Sequence, residues 1–243
     1  KEVDRLKDEF VSVVSHELRT PLTSVRGSLG LALNSDEQLP DEVERLLEIA
    51  HQNTERLEML VDDILDIEKI ESGDLEFTPE PVAPGDLLDE VARSNESYAG
   101  EYGVELETHV RLDGEVIHVD RDRLFQILTN FVSNAIKYSP EGGTVTLNAQ
   151  PVAEGESVRL SVSDRGEGIP EEFRDKLFER FTQADASTTR QRQGTGLGLS
   201  IAKALTEKMG GTIDFMTEIG EGTTFWVDFP VHRSSSAAER LSC

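Results

Sequence analysis

One of the five histidines lies in a segment whose neighbours could make it a nucleophile. Residues 15–22 read Ser-His-Glu-Leu-Arg-Thr-Pro-Leu. His16 is two residues from Val14 and from Leu18, a rotation of about 200° on a helix, so we expect its imidazole to face away from the apolar stripe and be exposed. Glu17 could hydrogen-bond the Nδ1 proton, which would leave Nε2 free to attack. A lone exposed histidine is usually an ordinary surface residue, so the prediction that His16 is a nucleophile depends on its neighbouring residues.

Thr20 and Pro21 complete the segment. Thr20 lies four residues after His16, one helical turn along the same face. Pro21 cannot donate to the carbonyl of Glu17, so we expect a kink one turn after the histidine. Thr20 could therefore act beside the imidazole, or its hydroxyl could only cap the kinked turn.

A second set of polar residues lies on one flank of a predicted helix, in the segment NFVSNAIKYS. Asn130 and Asn134 are spaced i, i+4, and Lys137 and Tyr138 follow a turn later on that flank. Side-chain carbonyl oxygens suit Mg²⁺, which usually keeps waters and substrate phosphates as further ligands, and the lysine could balance phosphate charge. The alternative is a solvated polar flank, which is the commoner case for such a helix in isolation.

An aspartate continues the alternating run VRLSVSDRGEGIP. Asp164 shares the parity of the apolar residues before it, so its carboxylate should point toward the core side, where it needs a partner. The exocyclic amine of adenine would be a fitting donor, and Gly166 and Gly168 would let the backbone approach the base. An aspartate that simply starts a glycine turn would explain DRGEG equally well.

A glycine-rich loop, QGTGLGLS, runs into a predicted helix at residues 193–200. Its backbone N–H groups and the positive end of the helix dipole would suit phosphates. Gly194, Gly196 and Gly198 alone are a weak signal, and no suitable strand precedes them as a dinucleotide-binding unit would require. The polar residues 182–193 before the helix predict a flexible lid over a nucleotide.

Two amphipathic helices are predicted to carry the histidine. Apolar residues recur at steps of four and three from Leu6 to Leu33, and after the polar residues 34–41 a heptad seam follows. Two helices joined by a short loop cannot bury two such stripes alone, so we expect a second copy to complete a four-helix bundle as a homodimer. The seam comprises Leu46, Ala50, Asn53, Leu57, Leu60, Ile64 and Ile67.

The remaining sequence predicts a second domain. Gly73 is a helix stop signal, and the proline-containing residues 77–86 indicate a linker. Helical patterns then alternate with strand-like runs, which predicts a mostly antiparallel sheet with helices on one face. The predicted domains are a helical hairpin at 1–73, an α+β domain at 74–233 and a frayed tail at 234–243. The helical patterns cover residues 86–99, 121–138, 171–178 and 199–209, and the strand-like runs cover 145–149, 158–162 and 225–229.

Composition excludes some partners and sites. Lys and Arg total 24 against 48 Asp and Glu, a formal charge of −24, which argues against nucleic acid or an anionic membrane as a partner. The single cysteine, Cys243, rules out an intramolecular disulfide and fits a reducing cytoplasmic setting. No run of 18 apolar residues occurs, and the chain begins with Lys1, so we expect a cytoplasmic fragment that lacks an upstream sensor domain.

The segment SHELRTPL resembles the H box of the sensor histidine kinases of two-component systems. NFVSNAIKYS also resembles that family, DRGEG resembles its G1 box, LFERF its F box, QGTGLGLS its G2 box and IGEGTTF its last glycine box, in the family's order. The resemblance covers roughly residues 10–230. It implies a multidomain fold, α and α+β: a dimeric four-helix bundle followed by the Bergerat-type α/β sandwich shared with gyrase, the mismatch-repair ATPase and the heat-shock chaperone ATPase.

The resemblance also implies an activity. The family's histidine is phosphorylated by ATP and passes the phosphoryl group to an Asp of a response regulator receiver domain. By resemblance His16 is that acceptor, Glu17 acts as acid or base, and Thr20 orients water when the regulator is dephosphorylated.

The nucleotide residues follow in the same way. Asn130 and Asn134 would hold Mg²⁺, Asp164 would bind adenine, and Thr223 would lie near the base. The other residues expected to contact ATP are Lys137, Tyr138, Gly166, Gly168, Arg180, Gly194, Thr195, Gly196, Leu197 and Gly198.

Two other functions remain open at this point. One is a pseudokinase that dimerises and docks partners without phosphoryl transfer, which the presence of His16, Asn134 and Asp164 disfavours. The other is a gyrase-like ATPase that drives a conformational cycle, in which the hairpin around His16 would have no purpose.

Overall fold

The computed structural model describes residues 18–20, 22–33, 39–180, 182 and 195–232, with only the backbone described at 41, 42, 44, 48, 52, 56 and 71. The chain forms two compact units, Lys1–Leu75 and Glu76–Cys243. The sequence prediction placed this boundary between residues 73 and 74.

The first unit is helical. Helix α1 covers residues 18–20 and 22–33, and helix α2 covers Asp41–Ser72. Gly73 follows α2 in the left-handed conformation, with φ 80°, where a residue with a Cβ would be strained. The glycine therefore ends the helix as the sequence indicated.

Polar side chains connect α1 and α2. The hydroxyl of Thr23 donates to Glu58 over 2.8 Å, Nη1 of Arg26 lies 2.7 Å from the same carboxylate, and Arg19 pairs with Asp62. Glu58 is only 9% exposed, so these bonds satisfy a carboxylate that burial would otherwise penalise. The two helices thus meet along a polar seam.

The predicted heptad stripe lies elsewhere on α2. Leu57 is 49% exposed and Ile64 40% exposed, and Leu46 is exposed as well. Among the side chains of α2 that the structure describes, the buried ones are instead Thr54, Glu58 and Val61. The apolar stripe is therefore largely uncovered in a single chain.

The second unit is built on a five-stranded sheet of order β2-β4-β5-β7-β6. Only the β2–β4 pair is parallel; the other three pairs are antiparallel. Helices α3, α4 and α6 pack on one face, so the prediction of a mostly antiparallel sheet covered on one side is confirmed. The strands are β1 Glu80–Val82, β2 Glu105–Val110, β3 Ile117–Val119, β4 Thr144–Val152, β5 Ser157–Ser163, β6 Thr212–Glu218 and β7 Gly222–Pro230, and β1 pairs with β3 in a separate two-stranded sheet. The helices are α3 Pro84–Glu101, α4 Arg121–Tyr138, α5 Glu171–Arg174 and α6 Gly198–Lys208, with a 3-10 turn at Ala153–Gly155.

One predicted helix is shorter than expected. The pattern at residues 171–178 predicted a helix, but α5 ends at Arg174. The N–H of Lys176 donates to the carbonyl of Phe173 and that of Leu177 to Arg174, which are the i→i+3 bonds of turns. These turns place the ring of Phe178 against Phe215 on β6, with centroids 5.9 Å apart.

The core lies between the sheet and its helices. Phe131 of α4 is fully buried and stacks on Phe225 of β7 at 5.5 Å between centroids. Burial of each such side chain contributes about 1.5–3 kcal/mol. Within the described ranges, every helix is too short or too polar to cross a membrane.

Candidate functional site

The residues predicted to carry the chemistry fall into three groups. His16, Glu17 and Gly194 lie outside the described residues. Thr20 is exposed on α1 in the first unit. The remaining predicted residues belong to the second unit, where α4, the loop after β5, the start of α6 and the β6–β7 hairpin position them.

Helix α4 presents the paired asparagines. Asp120 caps the helix by accepting from the N–H of Arg123 over 3.1 Å, and the buried flank of α4 fixes its rotation on the sheet. Nδ2 of Asn134 then donates to Oδ1 of Asn130 over 3.0 Å, and both side chains are half-buried. This bond uses the amide nitrogen of Asn134, so its Oδ1, the atom type a hard cation prefers, faces away from that bond.

The glycine loop approaches the asparagines directly. A Cβ at Gly198 would overlap the side-chain amide of Asn130, so only glycine allows this contact. Gly198 begins α6, whose first turn has no acidic residue. The structure therefore brings the paired asparagines and the positive end of α6 together, a combination suited to a metal ion and phosphates.

The loop before α6 is anchored locally. Leu197 is fully buried, and its N–H donates to the hydroxyl of Thr195 over 3.2 Å. Gly196 lies between them with φ 73°. These contacts fix the entry to α6 without using the N–H groups of its first turn.

The end of α4 meets the loop after β5. Lys137 and Tyr138 end the helix, with Nζ of the lysine 5.8 Å from the centroid of the tyrosine ring. The carbonyl of Tyr138 packs against Gly166. Arg180 is exposed in the turns after α5.

Asp164 follows β5 directly and is half-buried. Its Oδ1 accepts from the N–H of Gly166 over 2.8 Å and from that of Thr223 over 3.2 Å. Burial raises the pKa of Asp164, and the two backbone hydrogen bonds oppose that rise by favouring the carboxylate. Neither bond uses Oδ2, which is the oxygen suited to a ligand.

The loop that carries Asp164 rests on the β6–β7 hairpin. Gly168 has φ 74°, and a Cβ there would overlap the carbonyl of Glu218. The N–H of Gly220 donates to the carbonyl of Glu167 over 2.9 Å, and the N–H of Asp164 donates to that of Thr223 over 2.9 Å. The loop and the hairpin therefore form one wall of the site.

Sequence reasoning missed Thr217. Its Oγ1 accepts from the N–H of Ile169 over 2.9 Å and lies 2.9 Å from Oγ1 of Thr223. Thr217 and Thr223 are directly paired across β6 and β7. Because the two threonines stand equally far from the centre of the turn at Gly220, a hairpin prediction for this segment would have placed them opposite each other.

Two family models match the chain. The model described as "His Kinase A (phospho-acceptor) domain" matches residues 6–73. The model described as "Histidine kinase-, DNA gyrase B-, and HSP90-like ATPase" matches residues 119–233. The second match contains α4, the Asp164 loop, α6 and the β6–β7 hairpin.

Individual proteins are similar along nearly the whole chain. The sensor histidine kinase WalK of Bacillus subtilis is 36% identical over 236 residues, covering 95% of this chain and 38% of WalK. The sensor protein SrrB of Staphylococcus aureus is 34% identical over 228 residues, covering 94% of this chain and 39% of SrrB. The crystal structure of full-length ShkA in complex with AMPPNP superposes with a TM-score of 0.74 at 34% identity, covering 93% of this chain and 46% of that one. The chain thus spans less than half the length of each of these proteins.

Proposed function

Because this chain belongs to the sensor histidine kinases of two-component systems, we propose that ATP bound in its second unit phosphorylates His16. The phosphoryl group then passes to an Asp of a response regulator receiver domain. We propose further that the same helical face removes the phosphoryl group from the regulator.

The observation that carries this proposal is the contact between Gly198 and Asn130. It sets the positive end of α6, which suits phosphates, against the amide pair on α4. The carboxylate of Asp164, held by two backbone N–H groups, supplies an acceptor for the adenine amine. The AMPPNP complex of ShkA shows that a relative of this fold binds such a nucleotide.

The side chains of Asn130 and Asn134 fit Mg²⁺ because they offer amide oxygens beside a phosphate site. When bound, the ion neutralises phosphate charge during phosphoryl transfer. This is needed all the more in a chain of net charge −24, which repels ATP. Lys137 and Arg180 add positive charge from the end of α4 and the turns after α5.

On the acceptor side, Nε2 of His16 attacks the γ-phosphorus, the bond from that phosphorus to the bridging oxygen breaks, and ADP leaves. Glu17 holds the Nδ1 proton and stabilises the positive ring. Thr20, exposed on α1, holds a water for attack on the phosphoryl-aspartate of a docked regulator.

Homodimerisation is supported by the uncovered stripe on α2. Leu57 and Ile64 remain exposed, while Glu58 of α2 is buried and pairs with polar side chains of α1. Covering such a stripe with its counterpart from a second copy buries apolar area without exposing the polar seam.

Incubation of the purified chain with γ-labelled ATP and Mg²⁺ tests the proposal. We expect acid-labile, base-stable label on the protein, as phosphohistidine requires, and transfer of that label to a cognate receiver domain. Sustained ATP hydrolysis without labelled protein would instead indicate a gyrase-like ATPase. Nucleotide binding with neither label nor hydrolysis would indicate a pseudokinase.

A further inference from the structure

A side chain outside the predicted site completes the wall around Asp164. Two bonds between the Asp164 loop and the β6–β7 hairpin join backbone to backbone, from Asp164 to Thr223 and from Gly220 to Glu167. Another runs from the N–H of Thr223 to the carboxylate of Asp164, and a further one runs from the N–H of Ile169 to the hydroxyl of Thr217 over 2.9 Å. Thr217 therefore connects the loop to the hairpin through its side chain.

The hydroxyl of Thr217 takes part in three contacts. A threonine hydroxyl has one proton to donate and two lone pairs to accept with. Oγ1 of Thr217 lies 3.1 Å from the carbonyl oxygen of Gly222, which can only accept, and 2.9 Å from Oγ1 of Thr223. Either hydroxyl could be the donor between Thr217 and Thr223. In the arrangement in which Thr217 donates to Gly222, it accepts from Ile169 and from Thr223. The proton of Thr223 then points at Thr217.

This arrangement determines what Thr223 offers to a ligand. In this arrangement the hydroxyl proton of Thr223 is used within the hairpin, so its oxygen can act only as an acceptor. The N–H of the same residue is 3.2 Å from the carboxylate of Asp164, which is also an acceptor. Thr223 is 6% exposed, so a mismatched polar group against it would not be relieved by bulk water.

We propose that Thr217 is a positioning residue that keeps the hydroxyl proton of Thr223 pointed at itself and thereby makes the base site selective for a 6-amino purine over a 6-oxo purine. The inference rests on the proposed function, since it takes the base to lie at Asp164. A 6-amino group donates to both acceptors, whereas a 6-oxo group places a third acceptor against them. Without Thr217, the hydroxyl of Thr223 is released to turn and donate its proton to the 6-oxo group.

Calorimetric titration of the full chain with ADP and with IDP, in Mg²⁺, tests this without phosphoryl transfer. The two nucleotides differ at position 6 of the base and in the N1 proton that accompanies the oxo group. We expect Thr217→Val, which keeps the shape and removes the hydroxyl, to lower the preference for ADP over IDP about tenfold, the contribution of one hydrogen bond. Thr217→Ser keeps the hydroxyl and should retain the wild-type preference.

Two further variants separate selectivity from simple support of the loop. Thr223→Val should lower the preference as Thr217→Val does, and the double variant should lower it no further, because both act through one hydroxyl. If Thr217→Val lowered the affinities for ADP and IDP equally, Thr217 would only support the loop structurally, and the inference would be overturned. If Thr217→Val does not fold, an unchanged preference in Thr223→Val would overturn it. Failure of the wild type to bind ADP would instead overturn the proposed nucleotide site itself.

Discussion

The two units of this chain distribute polar and apolar residues in opposite ways. In the second unit, Phe131 and Phe225 lie in a closed core while polar groups line the site at its edge. In the first, Glu58 is buried between two helices while Leu57 and Ile64 face outward. The second unit buries its core within a single chain, whereas the apolar stripe of the first unit stays exposed.

The difference shows that burial has two functions in the same protein. In the second unit, it holds α4 and the sheet so that side chains at their edge keep fixed distances. In the first unit, apolar residues of α2 stay exposed, where we propose that a second copy covers them, and hydrogen bonds within the chain connect the two helices.

The largest effect is expected at the acceptor. His16→Ala should abolish phosphorylation of the chain, because the nucleophile is gone, while the affinity for ATP stays within about twofold because the nucleotide site lies in the other unit. Labelling with γ-labelled ATP and titration with ADP measure the two properties. His109→Ala, an exposed histidine on β2, is the matched control and should label normally. Residual base-stable, acid-labile label on His16→Ala would place the acceptor elsewhere.

The second-largest effect is expected when the exposed apolar stripe of α2 is changed, and it concerns dimerisation. Replacing both Leu57 and Ile64 by Glu should raise the dimer dissociation constant at least about 100-fold, since each apolar side chain contributes about 1.5–3 kcal/mol when buried, and two copies are affected. Analytical ultracentrifugation measures the constant. Met59→Glu changes a residue of α2 that is 58% exposed but off the stripe, and it should leave the dimer intact. A dimer that survives the double change would show that another surface joins the copies.

A smaller change is expected from Asp164→Asn. The Asn oxygen keeps both backbone bonds, but an NH₂ group replaces the second oxygen and faces the adenine amine. The unmatched donors should cost about 1–3 kcal/mol, or roughly 10- to 100-fold in ADP affinity, while the dimer constant stays unchanged. Undiminished ADP binding would contradict the position of the base.

The same substitution has a stability consequence of defined sign. Burial raises the pKa of Asp164 in the folded state, so protonation favours folding, and this contribution is lost as pH rises through the folded-state pKa. At neutral pH the wild type carries the full desolvation cost, and Asp164→Asn should unfold at a slightly higher temperature. Calorimetric scans of both proteins at pH 7 and near pH 4 should show the difference shrinking on acidification.

The smallest predicted effect separates two reactions on one helical face. Thr20→Ala should retain most autophosphorylation, which needs the imidazole and Glu17, and should slow regulator dephosphorylation about tenfold through loss of one hydrogen bond to water. The decay of a phosphorylated cognate receiver domain measures it. An undiminished rate in a folded Thr20→Ala dimer would leave the hydroxyl only a capping role.

Periodicity predicted much of this architecture because it reports which face of an element is buried. The alternation in β4, β5 and β7 and the stripe on α4 appear in the fold as buried residues. The α5 pattern failed after Arg174 because i→i+3 turn bonds replace the helix there, and apolar spacing does not distinguish the two.

Hydrogen-bond partners were less accessible to sequence reasoning. Asp164 was expected to need a donor. One actual donor, the N–H of Gly166, lies two residues away in the same turn, whereas the other, the N–H of Thr223, depends on how a distant hairpin docks. The burial of Glu58 was likewise invisible, since a carboxylate in a helix pattern normally indicates a solvent face. Thr217 was missed for the same reason: its importance comes from register with Thr223 rather than from residue type.

Glu58 also gives the hairpin a mechanical property. An aliphatic seam tolerates slip by one turn, because one methyl group packs much like another. Glu58 binds Thr23 and Arg26 together, and a slip of one turn toward the end of α1 would replace them by Gly27 and Gly30, which have no side chain to donate. The two helices are therefore locked against sliding in that direction, and a pull along α1 is transmitted to α2 instead of being absorbed between them.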